Sequence, residues 1–337
     1  MNPMSRPTFS RIAEAAGVSL STVERVLNGR GGVRPDKVQR VIATASDLGY
    51  DRRLPEIHRG MTRIELILSR PETPFFSRLV DAFVNMAGTL DEKVTLHRTL
   101  IAQDPAECVA RINAKGLRRS GLIITAPDHP DVRDALRAIQ EAGTPVIQLV
   151  TRTGGLHADY VGIDNYAAGR TAAMFISRMC RRAGHVLALC PIERYVAHKD
   201  RLRGFSDYFG ASPNPDLSFS QILLGREEGS FSAALLREVL DDDPSVAAFY
   251  NCGGLNGVLC DVFRSHPTGQ GVFFVGHELT ERSSAALSDG TMQVILDQVP
   301  EVQARRALDL MLQRVGLLRD SIENKPIRFT TITAENL

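Results

Sequence analysis

The chain has 337 residues, of which 43% are hydrophobic and 23% are charged, which is typical of a globular protein with two or three domains. No apolar run reaches the roughly 20 residues of a membrane span, and residues 1–17 lack the apolar core of a secretion signal, so we expect a cytoplasmic protein. The net charge of +1 is uneven, because residues 1–60 carry ten Arg and Lys against six Asp and Glu, and such a basic segment suits contact with a polyanion.

Three short helices are predicted in residues 1–50, because apolar side chains recur there at helical spacing. Thr8 suits the cap of the first helix, and Gly17 suits the left-handed residue that ends it. Ser19 suits the cap of the second helix. Pro35 suits the first turn of the third helix, which Gly49 ends.

The first two helices are joined by a four-residue turn with Gly17, which is the pattern of a helix-turn-helix unit. In such a unit the second helix enters the major groove, and its outward positions here include Leu20, Ser21 and Arg25. Arg25 can pair with guanine, and Leu20 can touch a thymine methyl group. The candidates for phosphate contacts are Ser19, Thr22, Asn28 and Arg34. The alternative is a small helical subdomain with a solvated charged face.

Apolar runs alternate with amphipathic helices in the rest of the chain, which predicts an α/β fold with parallel, doubly wound sheets. The predicted strands are 63–69, 94–100, 121–125, 145–150, 160–163, 186–190, 220–224, 246–251, 272–276 and 293–296. The predicted helices are 75–90, 105–115, 131–142, 167–182, 230–240 and 302–315. Ten strands are too many for one sheet, and the series restarts near Val186 after a long helix, so we predict two lobes.

Ligands of such sheets bind at the carboxyl ends of the strands, and the cleft between two lobes is the expected site. Polar residues at or near these ends are Thr73, Asp164, Asn165, Asn251, Glu278 and Gln298, and Arg201 lies near the start of a second-lobe helix. All of them except Thr73 have a structural alternative: a helix cap for Asp164–Asn165 and Glu278, a turn for Asn251, a salt bridge for Arg201 and a solvated side chain for Gln298.

No catalytic, cofactor or metal motif is visible in the sequence. There is no GxSxG elbow and no phosphate-binding P-loop, and the GRGG at 29–32 lies between two predicted helices rather than after a strand. The five cysteines have neither CxxC nor His-linked metal spacing. We therefore predict packed thiols, no metal site, no cofactor and no enzymatic activity.

The segment AGVSLSTVERVLNG, residues 16–29, resembles the DNA-binding head of the LacI family of repressors, and the resemblance extends over residues 8–50. It implies that Leu20, Ser21 and Arg25 read bases. In that family a hinge helix follows the head, and its Leu wedges into the minor groove. Leu54 is the candidate wedge in the predicted hinge 51–62, but Pro55 disfavours helix at Leu54.

Residues 63–337 resemble the periplasmic-binding-protein-like effector domain of the same family, through PETPFFSRL, VGIDNYAAGRTAA, DRLRGF, DPSVAAFYN, VGHE and ILDQVP in this order. The resemblance implies a pair of aromatic side chains, Phe75 and Phe76, at the cleft mouth; the alternative for these rings is core. It also implies effector contacts from Arg201, Asn251, Glu278 and Gln298. Thr73 stands where the family usually has Asn, so the pocket departs from the common pattern.

The resemblance implies a repressor with a head (1–50), a hinge (51–62) and an effector-binding and dimerisation domain (63–337). Its expected partners are a palindromic operator DNA with two half-sites, a second copy in a homodimer or tetramer, and a sugar, polyol or sugar acid. Two other functions stay open, a solute-binding component of a transporter and an α/β enzyme.

Overall fold

The computed structural model of the protein describes residues 7–28, 33–50, 61–69, 73–102, 104–114, 116, 118–191, 194–212, 214–226, 228–318 and 320–337. The chain divides into two compact units, Met1–Met61 and Thr62–Leu337. Leu54 and most of the predicted hinge lie outside the described residues. Among the described helices, none combines the length and the apolar character that crossing a membrane would require.

The first unit contains the three predicted helices. They are α1 (Phe9–Ala16), α2 (Leu20–Leu27) and α3 (Pro35–Asp47). Thr8 and Ser19 cap α1 and α2 through their hydroxyl groups, and Gly17 ends α1 with a left-handed φ of 62°. One face of each helix is buried in a common core, formed by Ile12, Ala13, Ala16, Val23, Val26, Leu27, Val41 and Ala45. The predicted helix-turn-helix therefore forms, with its polar faces outside.

The second unit begins with a parallel sheet of five strands. They are β1 (Thr62–Ser69), β2 (Val94–Ile101), β3 (Gly121–Ile124), β4 (Val146–Leu149) and β5 (Asp159–Val161). Their order in the sheet is β2-β1-β3-β4-β5. Every residue of β3 and β4 is buried, as expected for parallel strands that are covered by helices on both faces.

A second sheet of six strands follows. They are β6 (Gly184–Cys190), β7 (Leu217–Leu224), β8 (Val246–Asn251), β9 (Phe273–His277), β10 (Val294–Asp297) and β11 (Thr330–Ile332). Their order is β11-β10-β9-β8-β6-β7, and only β11 among them runs antiparallel to its neighbour. The predicted α/β class with two lobes is confirmed, and the antiparallel edge strand is an addition that the sequence analysis did not contain.

Nine helices of the described chain pack around these sheets. They are α4 (Pro74–Ala87), α5 (Pro105–Ile112), α6 (Pro130–Glu141), α7 (Asn165–Met179), α8 (Val196–Ala211), α9 (Gly229–Asp242), α10 (Asn256–Ser265), α11 (Glu281–Ser288) and α12 (Pro300–Arg314). The sequence analysis did not predict the full extent of α8, nor α10 and α11. In α8 the buried side chains include His198 and Arg201, so polar residues interrupt its apolar stripe.

Two helices are exchanged between the lobes. α7 follows β5 of the first sheet but packs against α8 and against β8, β9 and β10 of the second sheet. α12 follows β10 of the second sheet but packs against α4 and against β3, β4 and β5 of the first. The strand series does restart near Val186, with β6 as the first strand of the second sheet. The exchange of helices was not predicted, because alternation along the sequence does not reveal which sheet a helix covers.

α7 and α8 approach each other backbone to backbone at two glycines. A Cβ atom on Gly169 of α7 would lie 1.9 Å from the carbonyl oxygen of Arg201 in α8. A Cβ atom on Gly204 of α8 would lie 2.1 Å from the carbonyl oxygen of Tyr166 in α7. Only glycine fits at these two positions, and the contact fixes the helix turn that carries Arg201.

We expect Gly169→Ala to destabilise the second unit by about 1–3 kcal/mol, because backbone atoms cannot yield as a flexible side chain does. Urea unfolding that is followed by far-UV circular dichroism measures the change. Gly210→Ala is the matched control in α8, since a Cβ there has no heavy atom within 4 Å. The control should be neutral or should stabilise by up to about 1 kcal/mol. Equal stability of the two variants would contradict the proposed tight contact.

Candidate functional site

The carboxyl ends of the two sheets face each other, because residues that follow them make contacts between the lobes. The backbone N–H of Asp128, after β3, donates to the carbonyl of Arg194, after β6, at 2.9 Å. Arg152, after β4, forms an ion pair with Asp200 of α8 at 3.1 Å. The lobes are therefore closed against each other at the edge where a ligand of such sheets binds.

Among the described residues, Arg201 is the largest side chain that is fully buried, with 1% of its surface exposed. Its Nε donates to Asn165 Oδ1 at 2.8 Å, and its Nη1 donates to the carbonyl of Cys252 at 2.7 Å. The amide nitrogen of Asn165 in turn donates to the Tyr160 hydroxyl at 3.2 Å, at the point where the chain leaves the first lobe. The predicted residues Arg201 and Asn165 are thus brought together, and Arg201 ties α7 and α8 to the end of β8.

Asn251 at the end of β8 uses both ends of its amide within the protein. Its Nδ2 donates to Asn256 Oδ1 at 2.7 Å and to the carbonyl of Gly254, while its Oδ1 accepts from the N–H of Gly253 at 3.2 Å. Asn256 then donates to the carbonyl of His277. Asn251 therefore holds the turn after β8 and links it to the end of β9, and no described contact joins it to the side chain of Glu278.

Glu278 and Gln298 form a buried pair at the ends of β9 and β10. Gln298 Nε2 donates to Glu278 Oε1 at 2.6 Å. Glu278 Oε2 and Gln298 Oε1 are buried, and neither has a hydrogen-bond partner among the described residues. Two acceptor oxygens without donors carry a desolvation cost of about 1–3 kcal/mol each, which a ligand with hydroxyl groups would relieve.

Burial sets the protonation of two neighbouring groups. It raises the pKa of Glu278 to about 7, while the positive charge of Arg201 opposes the shift and Asp297 adds to it. Burial also lowers the pKa of His277 well below its ordinary range, and the positive charge of Arg201 acts in the same direction. His277 is therefore neutral, and its Nε2 is 2.8 Å from the Tyr250 hydroxyl.

The first lobe contributes the start of α4. Phe75 and Phe76 are each 6% exposed and meet edge to face, with ring centroids 5.2 Å apart. Both rings pack in the main apolar core, which is the structural alternative that the sequence analysis left open. Thr73 precedes α4 in the cap position and is half-buried. Asp164 caps α7 by accepting from the N–H of Ala167 at 2.9 Å, as its structural alternative predicted.

Arg78 was missed by the sequence analysis although it lies within the PETPFFSRL motif. From α4 of the first lobe it donates to Asp297 Oδ1 at 2.8 Å and to the carbonyl of Leu279 at 3.0 Å. It also binds Glu301 of α12 at 2.9 Å. Its spacing from Phe75 by one helical turn was the available signal, since residues three apart are neighbours on the surface of a helix.

The predicted DNA-reading residues lie on one exposed surface of α2. Ser19, Leu20, Ser21, Arg25 and Asn28 are exposed, and Thr22 is half-buried. The hydroxyl of Ser19 caps α2 and also lies 3.0 Å from the Ser21 hydroxyl and 2.8 Å from the Thr22 hydroxyl. Arg34 is exposed before α3 and pairs with Asp36 at 3.3 Å. These side chains are therefore accessible to solvent, with Thr22 the least exposed of them.

The described surface also contains an open groove of about 620 Å³ beside α12 and the segment that leads to β11. Its lining combines apolar side chains with Arg306, Glu323, Lys325, Arg328 and Thr330, and it contains none of the predicted ligand residues. The residues that point to ligand chemistry are instead those at the strand ends, where the lobes are closed.

Residues 64–316 match the protein family described as "Periplasmic binding protein domain", and residues 8–53 match "Bacterial regulatory proteins, lacI family". The chain belongs to the LacI family. The resemblance that the sequence motifs indicated is thereby confirmed for both parts of this LacI-family chain.

Known transcriptional regulators align with this LacI-family chain at low identity. An uncharacterized HTH-type regulator in the aml 5′ region of Streptomyces limosus is 29% identical over 208 residues, which cover 60% of this chain and 57% of that regulator. The HTH-type regulator CelR of Thermobifida fusca is 24% identical over 275 residues, or 77% of each chain. The first alignment thus spans little more than half of its regulator.

Solved structures share the fold of the two lobes. A periplasmic solute-binding protein of Actinobacillus succinogenes with bound D-allose has a TM-score of 0.73 at 17% identity, covering 82% of this chain and 98% of that one. A solute-binding protein of Bacillus halodurans with bound myo-inositol has a TM-score of 0.74 at 16% identity, covering 82% and 96%. At these identities the likeness establishes the fold alone.

The raised pKa of Glu278 predicts a pH-dependent stability. The neutral carboxyl is favoured in the folded protein, so this contribution is complete below pH 4.5, the ordinary pKa, and is lost as the pH rises through about 7. At about 1.4 kcal/mol per pKa unit, the loss is on the order of 3 kcal/mol. We expect Glu278→Gln to remove this loss, because glutamine has the shape of the neutral acid.

Urea unfolding at a series of pH values from below 5 to about 8 tests the prediction. The measured quantity is the free energy of unfolding, compared between the wild type and Glu278→Gln at each pH. Glu281→Gln is the control, since Glu281 is an exposed acid in the adjacent helix α11. The control should follow the wild-type profile. Parallel profiles for all three proteins would show that Glu278 titrates as an ordinary carboxyl.

Proposed function

We propose that the protein is a sequence-specific, DNA-binding transcription repressor whose operator affinity is controlled by a polyhydroxylated small molecule held between the two lobes. The observation that carries the proposal is the exposed surface of α2, where Leu20, Ser21 and Arg25 stand on the second helix of a helix-turn-helix. The family to which the chain belongs and the regulators that align with it support this function.

On DNA, α2 lies in the major groove with its N-terminal residues at the base edges. Arg25 pairs with O6 and N7 of a guanine, Leu20 meets a thymine methyl group, and Ser21 bonds to a neighbouring base. Ser19, Thr22, Asn28 and Arg34 contact phosphates and fix the register of the helix. Because a palindromic operator has two half-sites, the chain acts as a homodimer in the cytoplasm.

The ligand lies at the facing strand ends, where Glu278 and Gln298 each hold a buried acceptor oxygen without a described partner. Both accept hydrogen bonds from hydroxyl groups, and Arg201 supplies donors beside them. Phe75 and Phe76 pack in the apolar core when the lobes are closed, so they reach the apolar C–H face of a sugar ring or polyol, beside Thr73, only when the lobes part. The solved structures of the same fold with bound D-allose, D-arabinose and myo-inositol favour this ligand class.

Control of DNA binding follows from closure of the lobes. The buried acceptors are reached only when the lobes part, so ligand entry and lobe closure are coupled. A ligand that binds one lobe arrangement better than the other shifts the equilibrium between them. A coupling of about 1–3 kcal/mol changes operator affinity 5- to 150-fold.

We expect Arg25→Ala to reduce binding to a selected operator by about 1–3 kcal/mol while binding to random DNA changes little, because a bidentate guanine contact is lost. Selection of an operator from random duplexes, followed by a gel shift at fixed salt, measures both affinities. Arg237→Ala, an exposed arginine of α9 in the second unit, is the charge-matched control. Failure to select any preferred duplex, or equal affinities of Arg25→Ala and wild type, would refute the DNA-reading role.

The ligand is sought by thermal shift with neutral sugars, polyols and sugar acids, in which a ligand at 100 times its Kd stabilises by about 2.7 kcal/mol. We expect Arg201→Lys to lower the affinity for the ligand found at least tenfold and to leave operator affinity without ligand intact. The reason is that lysine keeps the charge but cannot replace the forked bonds to Asn165 and Cys252.

Arg203→Lys is the control for this measurement, because Arg203 is exposed on the same helix and pairs with Asp200 at 3.0 Å. It should respond to the ligand as the wild type does. A ligand response that persists unchanged in Arg201→Lys would place the binding site elsewhere.

A further inference from the structure

Two cysteines and a histidine from three different elements converge near Arg201. Cys190 is the last residue of β6, Cys252 follows β8, and His198 lies in the first turn of α8. The two Sγ atoms and a ring nitrogen of His198 all lie within 4.8 Å of one another, and all three residues are buried. We call these three residues the Cys2His cluster.

The fold brings the Cys2His cluster together through strand register and one glycine. β6 and β8 are parallel neighbours with Leu189 opposite Asn251, so the next residues, Cys190 and Cys252, stand side by side at the same sheet edge. A Cβ on Gly253 would lie 2.4 Å from the Pro191 ring and 3.3 Å from Cε1 of His198. The glycine therefore lets the start of α8 close down on the ends of both strands.

The other cysteines show that burial alone does not produce such a cluster. Cys108 and Cys260 are each buried within an apolar core. Cys180 is half-buried, and its thiol donates to the carbonyl groups of Arg182 and Ala247. Within the described part of the chain, the metal-capable grouping that includes cysteine is the one with His198.

We propose that Cys190, Cys252 and His198 bind a Zn(II) ion. Two thiolates and one imidazole form a known three-ligand set of tetrahedral zinc sites, which leaves a fourth position for water or another small ligand. Thiolate and imidazole donors together favour Zn(II) over the hard cations Mg(II) and Ca(II). The two thiolate charges balance those of the ion, so the buried site gains no net charge beside Arg201.

This proposal differs from the sequence-based prediction that the cysteines are packed thiols and that there is no metal site. Sequence spacing could not reveal the site, because its ligands are separated by long stretches of chain and meet only through the β6–β8 register. A disulfide between Cys190 and Cys252 is the competing use of the same thiols, but it would leave the convergence of the His198 ring on both sulfur atoms without a role.

The test uses the full-length, reduced chain after removal of metal by a chelator, with Co(II) as a spectroscopic probe and then Zn(II). One Co(II) per chain should give thiolate charge-transfer absorption and the visible bands of a tetrahedral site, and one equivalent of Zn(II) should abolish both. X-ray absorption of the Zn(II)-loaded wild type should show two sulfur ligands at about 2.3 Å, a result that requires no variant.

Cys190→Ser, Cys252→Ser and His198→Gln should each weaken Zn(II) binding by more than about 100-fold, since even outer-shell changes cost 10- to 100-fold. Cys108→Ser and Cys260→Ser are matched controls for buried cysteines and should bind as the wild type does. The proposal is overturned if the reduced wild type shows no thiolate–Co(II) absorption, if no sulfur ligand is found, or if the thiols form a disulfide and the reduced form binds no metal. Because metal binding needs neither operator nor sugar, failure here leaves the proposed function standing.

Discussion

The backbone contact between α7 and α8 at Gly169 and Gly204 is the constraint on which the second unit depends. This contact positions the turn of α8 that carries the buried Arg201. Arg201 then links Asn165, where the chain leaves the first lobe, to Cys252 after β8 through two hydrogen bonds. A buried guanidinium is tolerated only when its donors are satisfied, so the position of α8 and the loop after β8 are fixed together. Helix packing thus determines where polar groups meet at the strand ends.

The polar groups at the ends of β8, β9 and β10 divide into two kinds. Asn251 and Asn256 form hydrogen bonds with each other and with neighbouring backbone, and so hold the loops in place. Glu278 and Gln298 satisfy each other through one pair of atoms and keep one acceptor each without a described donor. A binding site needs such a combination of rigid loops and acceptor oxygens without protein donors, because the ligand then supplies the missing hydrogen-bond donors.

The three helices of the head, α1 to α3, could be predicted from the sequence almost completely. Their caps, the glycines that end them and their apolar spacing are all local signals. The strand ends could also be predicted, and with them the positions of Glu278 and Gln298. The helix exchange, the extent of α8 and the convergence of Cys190, His198 and Cys252 could not be predicted from the sequence. These depend on which sheet a helix covers and on the register of strands distant in sequence, and hydrophobic periodicity contains neither. Arg78 was missed because two of its partners, Asp297 and Leu279, belong to the second lobe and lie far from it in sequence.

The exchange of α7 and α12 has a consequence for how the body folds. α7, which covers the second sheet, follows the last strand of the first sheet in the sequence. α12, which covers the first sheet, follows β10 of the second sheet. A fragment that stops after β5 would leave β3, β4 and β5 without α12, so neither half is an autonomous domain. The topology thereby imposes high contact order and slow, cooperative folding, and a nascent chain exposes apolar sheet surface until its last helix has emerged.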